Sequence, residues 1–421
     1  MKTYTYISLG CKVNAYEVSA ISTRLEELGY KKDNENPDVA IINTCSVTST
    51  ADQKSRQHIR KLINTYPNAL IVVMGCYSQG QHKFVADEIG AHIVTGTSNR
   101  DKVIELIENY QKDQKVDITD EKSRLFNKYE ELGVTSLSEN VRAYLKIQDG
   151  CDNFCSYCLI PYRRGKARSR EFNKVIEEAK SLVNKGYQEI VLTGIHVGGY
   201  GKDLGNTNFS SLVKELLNIQ GLYRLRISSI EESEIDDELI NLINTKDNLA
   251  NHFHIPLQSG SDTVLKRMNR KYDKEAFLKK ITKIKKACPQ VALTTDVIVG
   301  FPGESEEEFN ETYNFIKECG FNMLHIFPFS SREGTAASKM PNQIDPRIKK
   351  QRVAALLELS NCLWNEYEKS FAGKEVEVLV EEYDEDNKMN IGHTSNYLEV
   401  KIKDEQNKVG KIIKTIYKKY D

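Results

Sequence analysis

The sequence predicts an α/β protein with three parts: an N-terminal open parallel α/β domain, a central partial barrel of six βα units, and a small C-terminal all-β module. Apolar, β-branched runs alternate with amphipathic stretches along most of the chain, which is typical of parallel strands connected by helices. Near the C-terminus this pattern gives way to short alternating runs, which favour antiparallel strands. A length of 421 residues allows two or three domains.

The first part, residues 1–135, contains four apolar runs bounded by turn residues: YTYISLG, VAIINT, LIVVMG and HIVTGT. Each run is followed by a helix-like segment, for example AYEVSAISTRLEELGY, so we expect an open parallel sheet. The segment from about residue 110 to 140 is polar and lacks a clean period. It therefore predicts a junction between domains.

The second part, residues 136–371, contains six strand candidates: AYLKIQ, QEIVLTGIH, YRLRISSI, HFHIPL, VALTTDVIVGF and MLHIFPFS. Six βα units predict an open or partial barrel, smaller than the eightfold one. The third part, residues 372–421, contains EVEVLVEEY, YLEVKIK and VGKIIKTIYKKY, which predict a small β-module.

Charge and cysteine usage narrow the class of protein. A net charge of -1 supplies no general attraction to nucleic acid, so any RNA binding requires local basic patches. The sequence has no secretory segment and no apolar run of twenty residues, so we expect a cytoplasmic protein without a membrane partner. Nine cysteines in such a chain favour metal or redox use over a disulfide framework.

Three cysteines come just past the carboxyl ends of successive predicted strands: Cys11 after YTYISLG, Cys45 after VAIINT and Cys76 after LIVVMG. The ends of parallel strands share one edge of a sheet, where open α/β folds build their sites. Each cysteine alone can be read as a small buried hydrophobe. Three at equivalent positions favour a common site, because independent burial gives no reason for all of them to lie at one edge.

A second set of cysteines, Cys151, Cys155 and Cys158 in the stretch CDNFCSYC, follows the first predicted strand of the barrel. Such short spacings are typical of loops that hold iron–sulfur clusters. The zinc alternative requires a fourth protein ligand, for which His196, His252 and His254 are the candidates. Three ligands to a four-iron cluster leave one iron free for a substrate.

These motifs resemble the radical S-adenosylmethionine superfamily, and the whole chain resembles its methylthiotransferase branch. GCKVNAYE, NTCSVTSTADQKSRQ and MGCYSQ are similar to the N-terminal cluster domain of that branch, GCDNFCSYCLIPYRRGKARSR to its radical-SAM barrel, and the last fifty residues to its RNA-binding TRAM module. TADQKSRQ and RRGKARSR are most similar to the subgroup that converts N6-threonylcarbamoyladenosine, next to the anticodon of tRNA, to its 2-methylthio derivative.

The resemblance implies two 4Fe-4S clusters and S-adenosylmethionine. Cys151, Cys155 and Cys158 would hold the cluster that binds S-adenosylmethionine and generates the 5′-deoxyadenosyl radical, so no side chain is expected to act as a catalytic acid or base. Cys11, Cys45 and Cys76 would hold a second cluster that presents sulfur. The implied partners are the tRNA anticodon stem-loop, a reducing electron donor and a sulfur source.

Candidate residues for holding S-adenosylmethionine follow the barrel strands or adjoin the cluster loop. They are Tyr157, Gly194, Gly198, Gly199, Ser229, Glu231, Glu232, Gln258 and Ser259. Each has an ordinary alternative: core packing for the tyrosine, a sharp βα turn for the glycines, and an exposed charged loop for the serine and glutamates at the end of the third strand.

The basic run RRGKARSR comes directly after the cluster loop. Its cations are candidates for contacts with RNA phosphates or with the threonyl carboxylate, whereas the alternative is a solvated charged face. They are Arg163, Arg164, Lys166, Arg168 and Arg170. The remaining cysteines, Cys288, Cys319 and Cys362, match no cluster position and are interpreted as structural.

Other functions are left open by the sequence. The closest alternatives are methylthiotransferases that act on isopentenyladenosine in tRNA or on an aspartate of a ribosomal protein. A non-catalytic iron–sulfur carrier has no use for six βα units and an RNA module, and an RNA-binding zinc protein would be colourless.

Overall fold

Parallel sheets form the N-terminal and central parts of the computed structural model, and an antiparallel sheet forms its C-terminal end. The structure describes residues 2–111, 114–133 and 141–419. This architecture confirms the predicted fold class. The predicted boundary between residues 135 and 136 lies outside the described residues.

The N-terminal sheet has six parallel strands in the order β2-β1-β3-β4-β5-β6. Every residue of the third and fourth strands is buried, as expected for parallel strands covered by helices on both faces. The strands are β1 Thr3–Ser8, β2 Lys31–Lys32, β3 Val39–Thr44, β4 Leu70–Gly75, β5 Ile93–Val94 and β6 Val116–Asp117. The helices are α1 Lys12–Glu27, α2 Ser49–Thr65, α3 Cys76–Lys83 and α4 Val103–Glu108.

The central part contains six parallel strands arranged as two sheets of three, in the orders β11-β10-β7 and β12-β13-β14. Parallel bridges from β11 and the residues just beyond it, Leu225 to Leu249 and Ser229 to His254, connect the two sheets into one partial barrel. A short antiparallel pair, β8 and β9, stands beside it. The strands are β7 Ala143–Lys146, β8 Gln148–Asp149, β9 Arg168–Ser169, β10 Glu189–Thr193, β11 Arg224–Ile227, β12 His252–His254, β13 Ala292–Val299 and β14 Met323–Pro328.

Helices cover the outer face of the barrel and bury an apolar core between themselves and the strands. Several begin at side-chain caps, and α11 begins with a complete capping box formed by Ser305 and Glu308. The helices are α5 Ile160–Arg164, α6 Phe172–Asn184, α7 Phe209–Leu217, α8 Asp237–Thr245, α9 Asp262–Arg267, α10 Lys274–Ala287, α11 Glu306–Cys319 and α12 Pro346–Lys369.

The C-terminal module is a four-stranded antiparallel sheet in the order β17-β16-β15-β18. Its strands are β15 Glu375–Asp384, β16 Met389–Thr394, β17 Glu399–Lys403 and β18 Ile412–Ile416. It packs on the barrel through Arg226, whose guanidinium donates to the Ser395 carbonyl at 2.8 Å and lies 4.0 Å from the Tyr397 ring centre.

The sequence did not predict β2, β6, β8, β9 or β16. Four of these strands have only two residues, which is too short for a hydrophobic period. β6 extends the N-terminal sheet into the segment that was predicted to be a junction. In β16 the buried positions are occupied by Asn390, Gly392 and Thr394, so the strand lacks the apolar alternation that marks its neighbours.

Candidate active site

The register of the N-terminal sheet places three cysteines at one edge. Thr44 at the end of β3 pairs with Gly75 at the end of β4, so Cys45 and Cys76 leave the sheet at the same level. Cys11 caps the start of α1 beyond β1, the strand that pairs with β3. The structure therefore brings together the three residues that the sequence placed at this edge.

Glycines before two of these cysteines permit the close approach. Gly10 has a φ of 94°, and a Cβ there would lie 2.6 Å from the Cys45 sulfur. Gly75 has a φ of 107°, and a Cβ there would lie 2.2 Å from the side-chain oxygen of Asn43. Both positions therefore require the left-handed backbone and the absence of a side chain.

Two thiols of this edge, Cys45 and Cys76, are buried. Burial raises the pKa of the Cys76 thiol to about 11, Arg164 opposes the rise, and Cys11 and Cys45 add to it. Burial likewise raises the pKa of Cys45, with Cys11 again contributing. The mutual influence shows three thiols in electrostatic reach of one another, which suits a bound cationic iron cluster that stabilises thiolates.

Arg164 connects this edge to the barrel. Its side chain is fully buried, its Nε lies 3.3 Å from the Cys76 sulfur, and Nη1 lies 2.8 Å from a Glu17 oxygen and 3.1 Å from an Asp149 oxygen. Nη2 donates to the Asn14 side-chain oxygen at 2.8 Å. One guanidinium thus holds together α1, the start of α3 and the end of β8.

A larger network of buried charges surrounds Arg164. Its cations are Arg100, Lys146, Arg164 and Arg168, and its carboxylates are Glu17, Glu130 and Asp149. These cations lower the pKa of Asp149 and Glu17 well below the usual range, although burial acts in the opposite direction. The network carries one more cation than anions, and this excess suits a thiolate at Cys76.

The second cysteine set lies in the loop between β8 and α5. Each sulfur has an N–H donor close by: the Asn153 amide at 3.5 Å from Cys151, Arg270 Nη1 at 3.4 Å from Cys155, and the Ile160 amide at 3.4 Å from Cys158. Burial raises the pKa of Cys158 to about 12. Three thiols with N–H groups directed at sulfur fit an iron–sulfur cluster, whose thiolate ligands accept such hydrogen bonds.

The histidines considered for zinc lie in two places. His196 lies 2.9 Å from Glu234; burial lowers its pKa, but Cys151 and Glu234 outweigh burial and bring it to about 10. His252 and His254 both contact the Thr294 hydroxyl at 2.9 Å. Among residues 2–111, 114–133 and 141–419, no group of three or more His, Cys, Asp or Glu is arranged to hold a metal ion.

Several S-adenosylmethionine candidates have packing roles in the structure. Tyr157 packs edge-on against Phe301, with ring centres 6.5 Å apart. A Cβ at Gly198 would lie 2.2 Å from the Glu234 carboxylate, and one at Gly199 would lie 3.1 Å from His196. Ser259 is fully buried and lies 3.2 Å from the Thr312 hydroxyl.

Of the other candidates, two line a cavity and one has a buried oxygen without a hydrogen-bond partner within the described residues. Gly194 and Ser229 line the main cavity described below. Glu231 forms an ion pair with Arg270, the donor to Cys155. Glu232 is buried, burial raises its pKa, and within the described residues its Oε2 has no hydrogen-bond partner. Gln258 has a φ of 63°, and its amide donates to the Asp296 carbonyl at 2.8 Å.

The basic run divides into buried and accessible residues. Arg164, Arg168 and Arg170 are buried, and Arg170 pairs with buried Glu178 and with exposed Glu131. The burial of these three arginines favours a structural role. Contacts between the basic run and RNA stay a prediction. Lys166 is exposed. The Arg163 guanidinium lies over Gly80, where a Cβ would approach its Cζ to 2.0 Å.

A cavity of about 770 Å³ opens where the three parts of the chain meet. The N-terminal domain supplies the start of α1, the barrel supplies the carboxyl ends of β10 and β11 and alternate residues along β12, β13 and β14, and the C-terminal module supplies His393 and Tyr397. Phe327 on β14 is 45% exposed. This volume and the mixture of aromatic and polar walls are typical of a ligand-binding site.

Sequence reasoning missed several residues of this cavity, among them Lys12, Asp296, His325 and Phe327. Lys12 is next to Cys11, but a single lysine in an amphipathic helix reads as a solvated residue. The three barrel residues lie at alternate positions along β13 and β14. In a strand, the residues that face into the barrel and those that face out both recur every second position, so the period does not tell which set faces inward. Only the assembled barrel shows this.

Comparison with known proteins identifies two matching families. The Radical SAM superfamily matches residues 145–316, and the Uncharacterized protein family UPF0004 matches residues 3–96. Together the matches cover the barrel strands up to β13 and the edge that carries Cys11, Cys45 and Cys76.

Curated relatives match almost the whole chain. The threonylcarbamoyladenosine tRNA methylthiotransferase MtaB of Bacillus subtilis is 47% identical over 420 residues, with 98% of this chain and 93% of the relative covered. The MtaB protein of Aquifex aeolicus is 36% identical, covering 97% and 98%. The tRNA-2-methylthio-N(6)-dimethylallyladenosine synthase of Acetivibrio thermocellus is also 36% identical, covering 98% and 88%.

Solved structures share the fold at low sequence identity. The radical S-adenosylmethionine methyltransferase TsrM of Kitasatospora setae, with cobalamin and a [4Fe-4S] cluster bound, has a TM-score of 0.58 at 13% identity and covers 78% of this chain and 75% of its own. The cobalamin-dependent S-adenosylmethionine radical enzyme OxsB has a TM-score of 0.53 at 12% identity, covering 86% and 56%.

None of the described helices is long and apolar enough to span a membrane.

Proposed function

The chain belongs to the family of radical S-adenosylmethionine methylthiotransferases that includes the threonylcarbamoyladenosine tRNA methylthiotransferases, and we propose that it converts N6-threonylcarbamoyladenosine in tRNA to the 2-methylthio derivative. The observation that carries the proposal is the position of both cysteine sets beside the carboxyl end of β10. Cys11 lines the large cavity together with Gly194, and Cys155 lines a smaller cavity together with His196, two residues beyond Gly194. A reaction that joins sulfur to a base requires this convergence.

We propose two 4Fe-4S clusters, one held by Cys11, Cys45 and Cys76 and the other by Cys151, Cys155 and Cys158. The grouping of three thiols at each place supports both assignments, and the N–H groups directed at the sulfurs of Cys151, Cys155 and Cys158 support the second. With S-adenosylmethionine bound, the second cluster would supply the radical that removes the C2 hydrogen of adenine, and the first would supply sulfur.

The side chains around the second set hold the ligand loop and leave atoms for the cosubstrate. Arg270 donates to the Cys155 sulfur and pairs with Glu231, so it fixes this loop against the rim of the barrel. Glu232 offers a buried carboxylate oxygen that can accept a hydrogen bond from a hydroxyl or ammonium group of S-adenosylmethionine. Gly194 leaves the backbone at the end of β10 open to a ligand.

The tRNA would enter the cavity between the N-terminal domain and the C-terminal module. Tyr397 and His393 of the module stand at the cavity wall, so a base inserted into the barrel would pass this module. Single-stranded bases are recognised by stacking on aromatic side chains. Exposed Lys166 lies in the run after the cluster loop and is available for a phosphate.

The reaction would require a reducing electron donor and a source of sulfur, both of which are expected in the cytoplasm. The anticodon stem-loop is the RNA element proposed to bind, because it presents the modified adenosine in a loop whose bases can be turned outward.

The test is a substrate comparison with anaerobically purified holoenzyme. Stem-loop RNAs that carry threonylcarbamoyladenosine, isopentenyladenosine or unmodified adenosine next to the anticodon would be treated with S-adenosylmethionine and a reductant. Mass spectrometry of the nucleosides should detect the 2-methylthio product with the first RNA. Comparable turnover of the isopentenyladenosine RNA would reject the proposed substrate, and no methylthio product from any RNA would reject the proposed function.

A further inference from the structure

Within the described residues, Lys12 is the cation of the central cavity that has no counter-charge. Its side chain is half-buried at the start of α1 and lines the cavity. Across the described ranges, its ammonium group has neither an ion pair nor a hydrogen bond. The carboxylate of the cavity wall, Asp296, lies 3.2 Å from His254 Nε2 on the neighbouring strand. The cavity therefore offers one unmatched positive charge.

The pKa values of the cavity histidines show which residues the ammonium group of Lys12 influences. Burial lowers the pKa of His325, and His254 and Lys12 lower it further while Asp296 opposes them. Burial also lowers the pKa of His252 well below its usual range, with Arg226, His254 and Lys12 contributing. Lys12 is thus in electrostatic reach of residues on β12 and β14, across the cavity from its own helix.

The remaining charges around the cavity are already matched. Arg226 behind the wall lies 2.6 Å from a Glu189 oxygen, and His393 lies 3.2 Å from Glu381. Burial and neighbouring cations lower the pKa values of His252 and His325, which favours their neutral forms. An anionic ligand would therefore find its cation at Lys12.

Another wall of the same cavity is apolar. Met323, Phe327 and Tyr397 line it, and Phe327 on β14 is 45% exposed. Exposed aromatic surface inside a cavity is suited to stacking with a nucleobase. The cavity thus combines a surface for a base with a separate cationic position.

We propose that Lys12 binds the carboxylate of the threonylcarbamoyl substituent and that His325 is its hydrogen-bonding neighbour. This inference rests on the proposed function and names the residue that selects the substrate. The sequence placed this role in the arginines of RRGKARSR, but none of them lines the cavity. An apolar isopentenyl group would displace water from Lys12 without replacing its hydrogen bonds, which disfavours that substrate.

The experiment compares two RNAs that differ in one charge. One stem-loop carries N6-threonylcarbamoyladenosine and the other carries its methyl ester. The specificity constant kcat/KM for methylthiolation and the dissociation constants from fluorescence anisotropy would be measured with holoenzyme of the wild type, Lys12→Gln, Lys12→Arg and Lys214→Gln. Lys214 pairs with Glu238 on the outer helices and serves as the matched control.

The wild type should prefer the acid to the ester by about tenfold or more in kcat/KM, which corresponds to one charge-assisted contact. Lys12→Gln should reduce this ratio to about one, and Lys12→Arg should restore part of the preference. Lys214→Gln should keep the wild-type ratio. Iron content measured on each variant identifies any loss of clusters, because Lys12 adjoins Cys11.

Two results would overturn the inference while the proposed function stands: equal wild-type activity on acid and ester, or an unchanged acid preference in Lys12→Gln. The first result depends on no variant, so it decides the matter even if Lys12→Gln fails to assemble its clusters. Absence of wild-type activity on threonylcarbamoyladenosine would instead reject the proposed function.

Discussion

Arg164 occupies a position where the N-terminal domain and the barrel share buried charge. It contacts a sulfur of one domain and carboxylates from both, with no exposure to solvent. A guanidinium suits this position because its planar fork can donate to several acceptors at once. The sequence indicated two groups of three cysteines, one from their positions at strand ends and the other from short spacing. It read this arginine as a contact for RNA phosphates or for the threonyl carboxylate, since a run of basic residues carries no sign of its partners.

Replacing Arg164 by Gln should destabilise the holoenzyme strongly. Glu17 and Asp149 would lose a buried partner, a change that typically costs about 3–5 kcal/mol. Thermal unfolding under anaerobic conditions would measure the shift. Arg347→Gln is the matched control, because its side chain is 89% exposed and pairs with Asp345 on the surface. Equal midpoints for both variants would refute the structural role of Arg164.

Removing one cysteine from each set should distinguish the roles of the two proposed clusters. Cys155→Ala should abolish formation of 5′-deoxyadenosine, because the proposed radical cluster loses a ligand. Cys45→Ala should still cleave S-adenosylmethionine but form no methylthio product. Chromatography of 5′-deoxyadenosine and mass spectrometry of tRNA nucleosides measure the two outcomes.

Cys362→Ala serves as the control for both, since this exposed cysteine on α12 belongs to neither set. Undiminished 5′-deoxyadenosine from Cys155→Ala would remove the radical role from its loop. Undiminished methylthiolation by Cys45→Ala would remove the sulfur role from the other set.

At the scale of elements, the chemistry follows from where parallel strands end. The ends of β1, β3 and β4 place one cysteine set, and the loop after β8 places the other. Long apolar strands made this arrangement predictable, because β-branched runs and turn residues mark both their positions and their direction. β16 was not predictable, because its buried Asn390 is stabilised by partners distant in sequence rather than by apolar burial.

Asn390 should accordingly stabilise the C-terminal module. Its Nδ2 donates to the Gln406 carbonyl at 2.9 Å, and its Oδ1 accepts from the Lys408 amide at 2.9 Å. Asn390→Ala should reduce the free energy of local unfolding of this sheet by about 1–3 kcal/mol, because two backbone groups lose their partner. Hydrogen–deuterium exchange of the β16 amides measures this free energy of local unfolding. The exposed Asn387→Ala variant should exchange as the wild type does, and the same exchange in both variants would contradict this account.

At the scale of the molecule, one cavity is shared by three parts that buried and partly buried ion pairs hold together. Arg142 connects the barrel strand residue Glu189 to Glu381 of the C-terminal module, as Arg164 connects the barrel to the N-terminal domain. The cavity exists only in this assembly, which is why the sequence predicted its contributing strands but not Lys12 or His325 as neighbours. Strand periodicity carries no information about which loops of distant domains meet.

The assembled holoenzyme should contain roughly eight iron and eight sulfide per chain, since each cysteine set is proposed to hold one 4Fe-4S cluster. Cys45→Ala should retain roughly half of both. Colorimetric iron and sulfide analysis with ultraviolet–visible absorption measures the content. A wild-type content of roughly four iron per chain would leave one set without a cluster, and zinc without sulfide would exclude both assignments.

The most direct measurement of the central claim follows one hydrogen atom. A stem-loop RNA with deuterium at C2 of N6-threonylcarbamoyladenosine would be treated with wild-type holoenzyme, S-adenosylmethionine and a reductant. If the cavity brings this carbon beside the cosubstrate, mass spectrometry should find the deuterium in 5′-deoxyadenosine, together with 2-methylthio product that has lost it. Methylthio product without deuterium in 5′-deoxyadenosine would contradict the account.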